Sequence, residues 1–351
     1  MRIRIIDKKK LLVLILLIFI SALLVYNVFI GVLFLFAGAF SLLSNRLVKK
    51  TNWYRNIFIY TNQFVTNKGY RNDLQRNYDI VNLGSNPALF AFFYENVKGQ
   101  NWATGSQGPE MDLQILRYYH SYIKEGGVVL IPIVAFSSCS TYLTHYKPNF
   151  YGMSYYARFA KVLEDGLQAR TCIPNYKKVR RWMKYPLMYS FRTVRYLIKD
   201  VEPDSRHLIV EQPMSLLELN NDAGKWIHGW MKEFDILDLN APLDERMEKC
   251  HEECADQFAA IVDFCKERQL KPVLVFPPIS SVLASRFSRQ ARETYIYSFV
   301  CRVQKRTPVE FLDYMDCEEF SSPQHYFNSF FLNLRGRKLF THRVLKDLGL
   351  V

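Results

Sequence analysis

The densest set of metal-capable side chains in the sequence is Cys250-His251-Glu252-Glu253-Cys254, where thiolates and an imidazole could hold a borderline metal such as zinc. Helical spacing argues for a blander role. On one helix Cys250, Cys254, Ile261 and Cys265 fall within an arc of about 60°, flanked by Phe258 and Phe264. Free cysteine is among the most buried residue types, so this stripe reads as a core face, and no metal is expected there. A second candidate is the hydroxyl of Ser85, in the turn Gly84-Ser85-Asn86 that follows the apolar run Tyr78–Leu83. A hydroxyl becomes a nucleophile only beside a base. His325, in the loop before the last helix, could be that base or could make an ordinary surface hydrogen bond. A third candidate is Tyr176–Tyr185, where Lys177, Lys178, Arg180, Arg181 and Lys184 stand among aromatic residues. Such a segment suits lipid headgroups or an anionic glycan, each cation near an anionic leaflet adding about 1 kcal/mol of attraction. It equally suits a solvated basic surface. Nucleic acid is not expected, because no binding motif accompanies the charge.

Positioning Ser85 in a crevice requires a framework of strands and helices, and the sequence alternates their signals. Tyr78–Leu83 and the runs Val128–Ala135, Lys271–Phe276 and Val309–Leu312 are short and apolar, as buried parallel strands are. Helical spacing covers Pro87–Val97, Met111–Lys124 (stopped at Gly126-Gly127), Leu243–Gln269, Arg289–Arg306 and Arg335–Leu348. The alternation predicts an α/β fold with a parallel sheet. Segment 136–242 interrupts it and reads as an insertion or cap. In an open α/β sheet ligands bind beyond the carboxyl ends of the strands. That gathers Gly84-Ser85-Asn86, residues 103–107 and the loop before the last helix around one crevice.

The chain has 351 residues, of which 49% are apolar and 23% charged, enough to bury a sizeable core. Its seven cysteines are an odd number and too sparse for a disulfide framework. The net charge of +13 is uneven: residues 1–50 carry eight basic and one acidic residue, residues 141–200 twelve and three, and the rest is nearly balanced or acidic. Residues 11–44 contain no charged side chain. About 20 apolar residues cross a bilayer, so residues 1–50 read as a basic start and a membrane anchor. A cleaved signal peptide would have a shorter apolar stretch. One reading is a single span near residues 11–32. The other is a re-entrant hairpin turning at Tyr26-Asn27, because Arg46, Lys49 and Lys50 flank the far end. Residues 51–76 read as a juxtamembrane connection, and 77–351 as the α/β domain.

Four stretches together resemble a known family: DIVNLGSN (residues 79–86), NWATGSQ (101–107), FCKERQLKPVLVFPP (264–278) and the long block 311–341 ending LNLRGRKLFT. In order and spacing they are similar to the SGNH/GDSL acyl-hydrolase superfamily. The likeness is to its membrane-anchored branch serving acyl transfer onto envelope polymers, such as teichoic acid D-alanyl transfer and alginate acetylation proteins. The resemblance implies a flavodoxin-like three-layer sandwich behind an N-terminal transmembrane helix, and no cofactor. It implies a nucleophile at the third residue of the first turn, where this chain has Asn86. It implies an Asp and a His three residues apart before a Leu-Asn-x-x-Gly frame, where this chain has Asn328 and Phe331 before Leu332-Asn333 and Gly336. Gly105 stands at the family's oxyanion-hole glycine and is equally well a turn residue. Gly84, Ser85, Asn86, Gly105 and Asn333 are then the expected crevice.

An amide is neither nucleophile nor base, a benzyl ring moves no proton, and loss of a single triad member already removes most triad catalysis. The resemblance therefore points to an inactive, membrane-anchored accessory or binding protein of envelope polysaccharide synthesis or O-acylation, beside a membrane O-acyltransferase. Its setting would be the bacterial cytoplasmic membrane, with the C-terminal domain outside. The alternative is an active esterase or O-acyltransferase using non-family residues, Ser85 with His325.

Overall fold

A computed structural model describes residues 8–48, 65–66, 69–70, 75–103, 105, 107–147 and 213–351. These residues fall into two units, the first being a single helix and the second an α/β unit. The helix, α1 (Lys8–Val48), is 41 residues long. Its stretch Leu16–Phe40 is long and apolar enough to cross a membrane. α1 runs unbroken through Tyr26 and Asn27, so the hairpin turn considered there does not form. At 1.5 Å per residue an uninterrupted apolar helix satisfies all its backbone groups internally, which a turn in hydrocarbon would not.

The α/β unit is built on five parallel strands: β1 (Tyr78–Asn82), β2 (Gly99–Asn101), β3 (Ile123–Pro132), β4 (Lys271–Phe276) and β5 (Glu310–Asp313), in the order β2-β1-β3-β4-β5. Ile80 pairs with Val128, Leu130 with Val273, and Leu274 with Phe311. Side chains alternate between faces. Val81, Val129, Ile131, Leu274 and Phe276 enter one core, whereas Ile80, Val128, Leu130, Val273 and Val275 enter the other. Burial on both faces is what the continuous apolar runs of the sequence require. A separate two-residue antiparallel ladder joins Val65–Thr66 to Gly69–Tyr70.

Two expected helices are corrected. Pro87–Val97 forms only one helical turn, α2 (Asn86–Leu89): the Phe93 amide, which would bond back to Leu89, donates instead to Thr341 Oγ1 at 2.8 Å, and the buried Asn101 Nδ2 donates to the carbonyls of Ala88, Leu89 and Phe92. Helix α3 (Pro109–Tyr119) ends earlier than expected, and a tight turn at His120–Tyr122 leads into β3. Gly126 and Gly127 lie inside β3, where its register with β1 shifts. Gly126 adopts φ +70°, and a Cβ on Gly127 would sit 2.5 Å from Ile123 Cγ2. These glycines shape a strand irregularity rather than a helix stop.

The longer helices that follow are α4 (Ser140–Tyr146), α5 (Leu216–Glu233), α6 (Glu245–Glu267), α7 (Ser298–Arg306) and α8 (Leu334–Asp347), with single helical turns at Ser281–Ala284 and Arg289–Arg292. A π turn, Glu293–Tyr297, leads from Arg289–Arg292 into α7. Asp244 caps α6 by accepting from the Met247 amide at 2.8 Å. α6 buries the expected stripe of Cys250, Cys254, Ile261 and Cys265. Cys139 joins it, its Sγ 3.6 Å from His251 Nε2, and burial holds His251 neutral, its pKa lowered to about 3. Among the described residues no group of three or more His, Cys, Asp or Glu could hold a metal ion. α4 and α5 lie within segment 136–242, near its two ends. The basic stretch with Lys177, Lys178, Arg180, Arg181 and Lys184 lies outside the described residues.

Candidate functional site

In the order β2-β1-β3-β4-β5, connections leave β1 in both directions, so a crevice opens where the strands β1 and β3 end. A cleft of about 260 Å³ lies there. Its floor is Gly84–Ala88 after β1 with Pro132 at the end of β3 and Val134–Ser137 after it, and its walls come from Gln107 and Asp112, from Trp226, Trp230 and Glu233 of α5, and from Phe330 and Phe331.

Gly84 is built into this floor. It has φ +104°, a region that favours glycine, and an added Cβ would come within 3.0 Å of Ala88 Cβ and 3.2 Å of Pro132 Cγ. Its N–H donates to Asp112 Oδ1 at 2.9 Å, and Gln107 Nε2 donates to the same oxygen. The Asp112 side chain is 4% exposed, and burial raises its pKa to about 7, although both hydrogen bonds act the other way. Ser85 and Asn86 follow on the rim, half-buried and exposed respectively. Ser85 occupies the cap position of α2 but makes no side-chain capping bond.

The loop carrying Asn328 and Phe331 is arranged as an aromatic block. Asn328 Oδ1 accepts from the amides of Phe330 (2.9 Å) and Phe331 (2.7 Å), closing a turn of its own chain. It therefore does not reach across the cleft to Asn86. Phe331, 8% exposed, stacks on Phe90 with centroids 5.1 Å apart and meets Trp226 edge-on at 5.5 Å. Phe330 meets Trp230 edge-on at 4.9 Å. Asp222 of α5 fastens the loop from above, its Oδ2 accepting from Ser329 N (2.8 Å) and Oγ (2.6 Å). α5 comes from the interrupting segment, so that segment supplies a wall of the site, as a cap would.

Other expected site residues stand elsewhere. Asn333, counted above with the crevice, is the cap of α8: its Oδ1 accepts from Gly336 N at 2.9 Å and its Nδ2 donates to Gln324 O at 2.8 Å. Gly336 is required because a Cβ there would lie 2.3 Å from the His325 carbonyl oxygen. The Leu332-Asn333-x-x-Gly336 frame is thus architectural. It starts a helix and seats it against a loop. His325 is not the surface residue considered above: it is 8% exposed, and burial first, then Arg335, lowers its pKa. It does not line the cleft with Ser85, and among the described residues no histidine does. Gly105 sits half-buried in a turn and is likewise absent from the lining.

Asp112 and Gln107 were not singled out for chemistry in the sequence. The signal was present. Asp112 precedes the buried Ile115, Leu116 and Tyr119 by three, four and seven residues, which puts a carboxylate on the apolar stripe of α3.

The chain matches no protein-family model, and no curated protein is similar to it in sequence.

Proposed function

We propose that the protein is a membrane-anchored SGNH-like domain that binds without hydrolysing esters, an accessory factor in envelope polysaccharide synthesis or O-acylation that works beside a membrane O-acyltransferase. The observation that carries this reading is the composition of the cleft. Phe331 stands at the family's histidine position inside an aromatic block, and no histidine lines the cleft among the described residues. The strand order β2-β1-β3-β4-β5 matches that of flavodoxin-like sheets and supports the three-layer reading of the fold.

A nucleophilic reading survives in one form. Ser85 shares the cleft with Asp112, whose pKa of about 7 suits a general base. Labelling separates the two. The full chain in detergent is expected to take up no serine-directed fluorophosphonate above a heat-denatured control. Labelling that disappears in Ser85→Ala would establish the esterase alternative.

The setting follows from α1. Arg2, Arg4 and Lys8–Lys10 precede the apolar stretch, and positive charge stays on the cytoplasmic side. A single span then carries residues beyond it out of the cytoplasm, in the cytoplasmic membrane of a bacterium. A reporter fused after Val351 is expected to read as extracytoplasmic. A cytoplasmic readout would remove any role on exported polymers.

A further inference from the structure

We propose that the cleft binds a hydroxylated ligand bearing an ammonium group, with an amino sugar as the simplest class. This deepens the reading of the cleft as a binding site and rests on it. Among the described residues the lining holds two carboxylates, Asp112 and Glu233, and no Lys, Arg or His. Lys147, whose charge acts on Glu233, is occupied: its Nζ donates to the carbonyls of Lys232 and Glu233 and pairs with Asp235 at 3.2 Å.

The hydrogen-bonding groups have the same bias. Gln107 is 4% exposed, and its Nε2 donates to Trp102 O and to Asp112 Oδ1. Both partners are acceptors, so the orientation of the amide is fixed. Its Oε1 is left buried without a partner in a side chain that lines the cleft. An unsatisfied buried acceptor is unfavourable, and a ligand N–H or O–H would satisfy it. Asp112 Oδ1 accepts from both Gly84 N and Gln107 Nε2, and the side chain lines the cleft. Ser85, Ser137 and Ser140 add hydroxyls to the lining. A ligand rich in donors fits these groups, whereas an anion would meet two carboxylates and no countercharge.

Aromatic rings complete the wall. Trp226, Trp230, Phe330 and Phe331 surround the cleft on the α5 side, and ring faces attract cations, tryptophan most strongly. The volume of about 260 Å³ lies just under the range of drug-sized pockets, about 300–1,000 Å³, so the cleft takes one ring rather than a length of polymer. Contacts to an anionic polymer belong to the basic stretch outside the described residues, not to this cleft.

The experiment measures binding of glucosamine, N-acetylglucosamine and glucuronate to the full chain in detergent by saturation-transfer NMR and calorimetry near pH 7. Glucosamine is expected to bind about tenfold tighter than N-acetylglucosamine, with no detectable binding of glucuronate. Asp112→Asn and Glu233→Gln are each expected to erase most of that preference. Glu233 is only half-buried, and an unchanged melting temperature for its variant shows that the fold is intact. Glucuronate binding as tight as glucosamine binding, a preference that both variants retain, or no binding by any of the three would overturn the proposal. None of these outcomes touches ester chemistry, which is decided separately by Ser85-dependent labelling.

Discussion

Replacing Asp112 by Asn should stabilise the protein at pH 8 relative to pH 4 by about 3–4 kcal/mol, measured as the difference between variant and wild type. The carboxyl titrates near 3.8 when solvated and at about 7 in the fold, where burial disfavours its charge. Between these pH values the folded state keeps a proton that the unfolded chain has lost. Raising the pH through this window therefore favours unfolding, and the change is complete above about 7. Asn carries no proton to lose. Any hydrogen bond it fails to keep with Gly84 or Gln107 is a constant offset that cancels between the two pH values.

Wild type alone would hide the effect, because His251 opposes it. That imidazole titrates near 6.5 when solvated and at about 3 in the fold, so it contributes stability above 6.5 that is lost as the pH falls. From about 4 to 6.5 the two slopes have opposite sign and similar size. Chemical denaturation of wild type and Asp112→Asn at pH 4, 6 and 8 isolates the carboxyl. A difference that does not vary with pH would mean that Asp112 is ionised and solvated throughout.

Phe331→Ala should cost about 3–5 kcal/mol, the range for truncating a buried phenylalanine. Phe331 contacts Phe90, Phe327, Phe330 and Trp226 at centroid distances of 5.0–5.7 Å, so four rings lose a neighbour at once. Phe331→His should cost less, because an imidazole keeps part of the volume. It would still bury a polar ring among hydrocarbon edges. For a unit of this size each kcal/mol moves the melting temperature by about 2–4 °C. A drop of about 6 °C or more is therefore expected for the alanine variant, with a smaller drop for histidine. An unchanged melting temperature in both would show that the aromatic block does not hold the loop to α5.

The sequence made the central strands legible because each is an uninterrupted apolar run, the pattern that burial on both faces imposes. β2 was not legible. Gly99-Gln100-Asn101 has no strand preference of its own, and its conformation is set by pairing with Ile80, Val81 and Asn82 of β1. The early end of α2 goes with partners far along the chain, Thr341 on the Phe93 amide and Asn101 on the Ala88 and Leu89 carbonyls, which no local period reveals. The cysteine stripe of α6 was legible because helical geometry alone places those residues on one side. In the cleft, Ser85 and Asn86 were located by the rule that ligands sit at strand ends. Asn333 was misjudged because a helix cap and a crevice residue look alike in sequence. Gln107 fell within the expected crevice residues 103–107, and Asp112 was marked only by its place on the apolar stripe of α3, whereas the tryptophans of α5 reach the cleft only through tertiary packing.

A cleft that binds without cleaving is tested most directly by the hydrolysis of small acetyl esters by the full chain in detergent, run beside Ser85→Ala. Wild type and variant are expected to release acetate at the same rate as buffer. A wild-type rate above buffer that Ser85→Ala abolishes would contradict this reading.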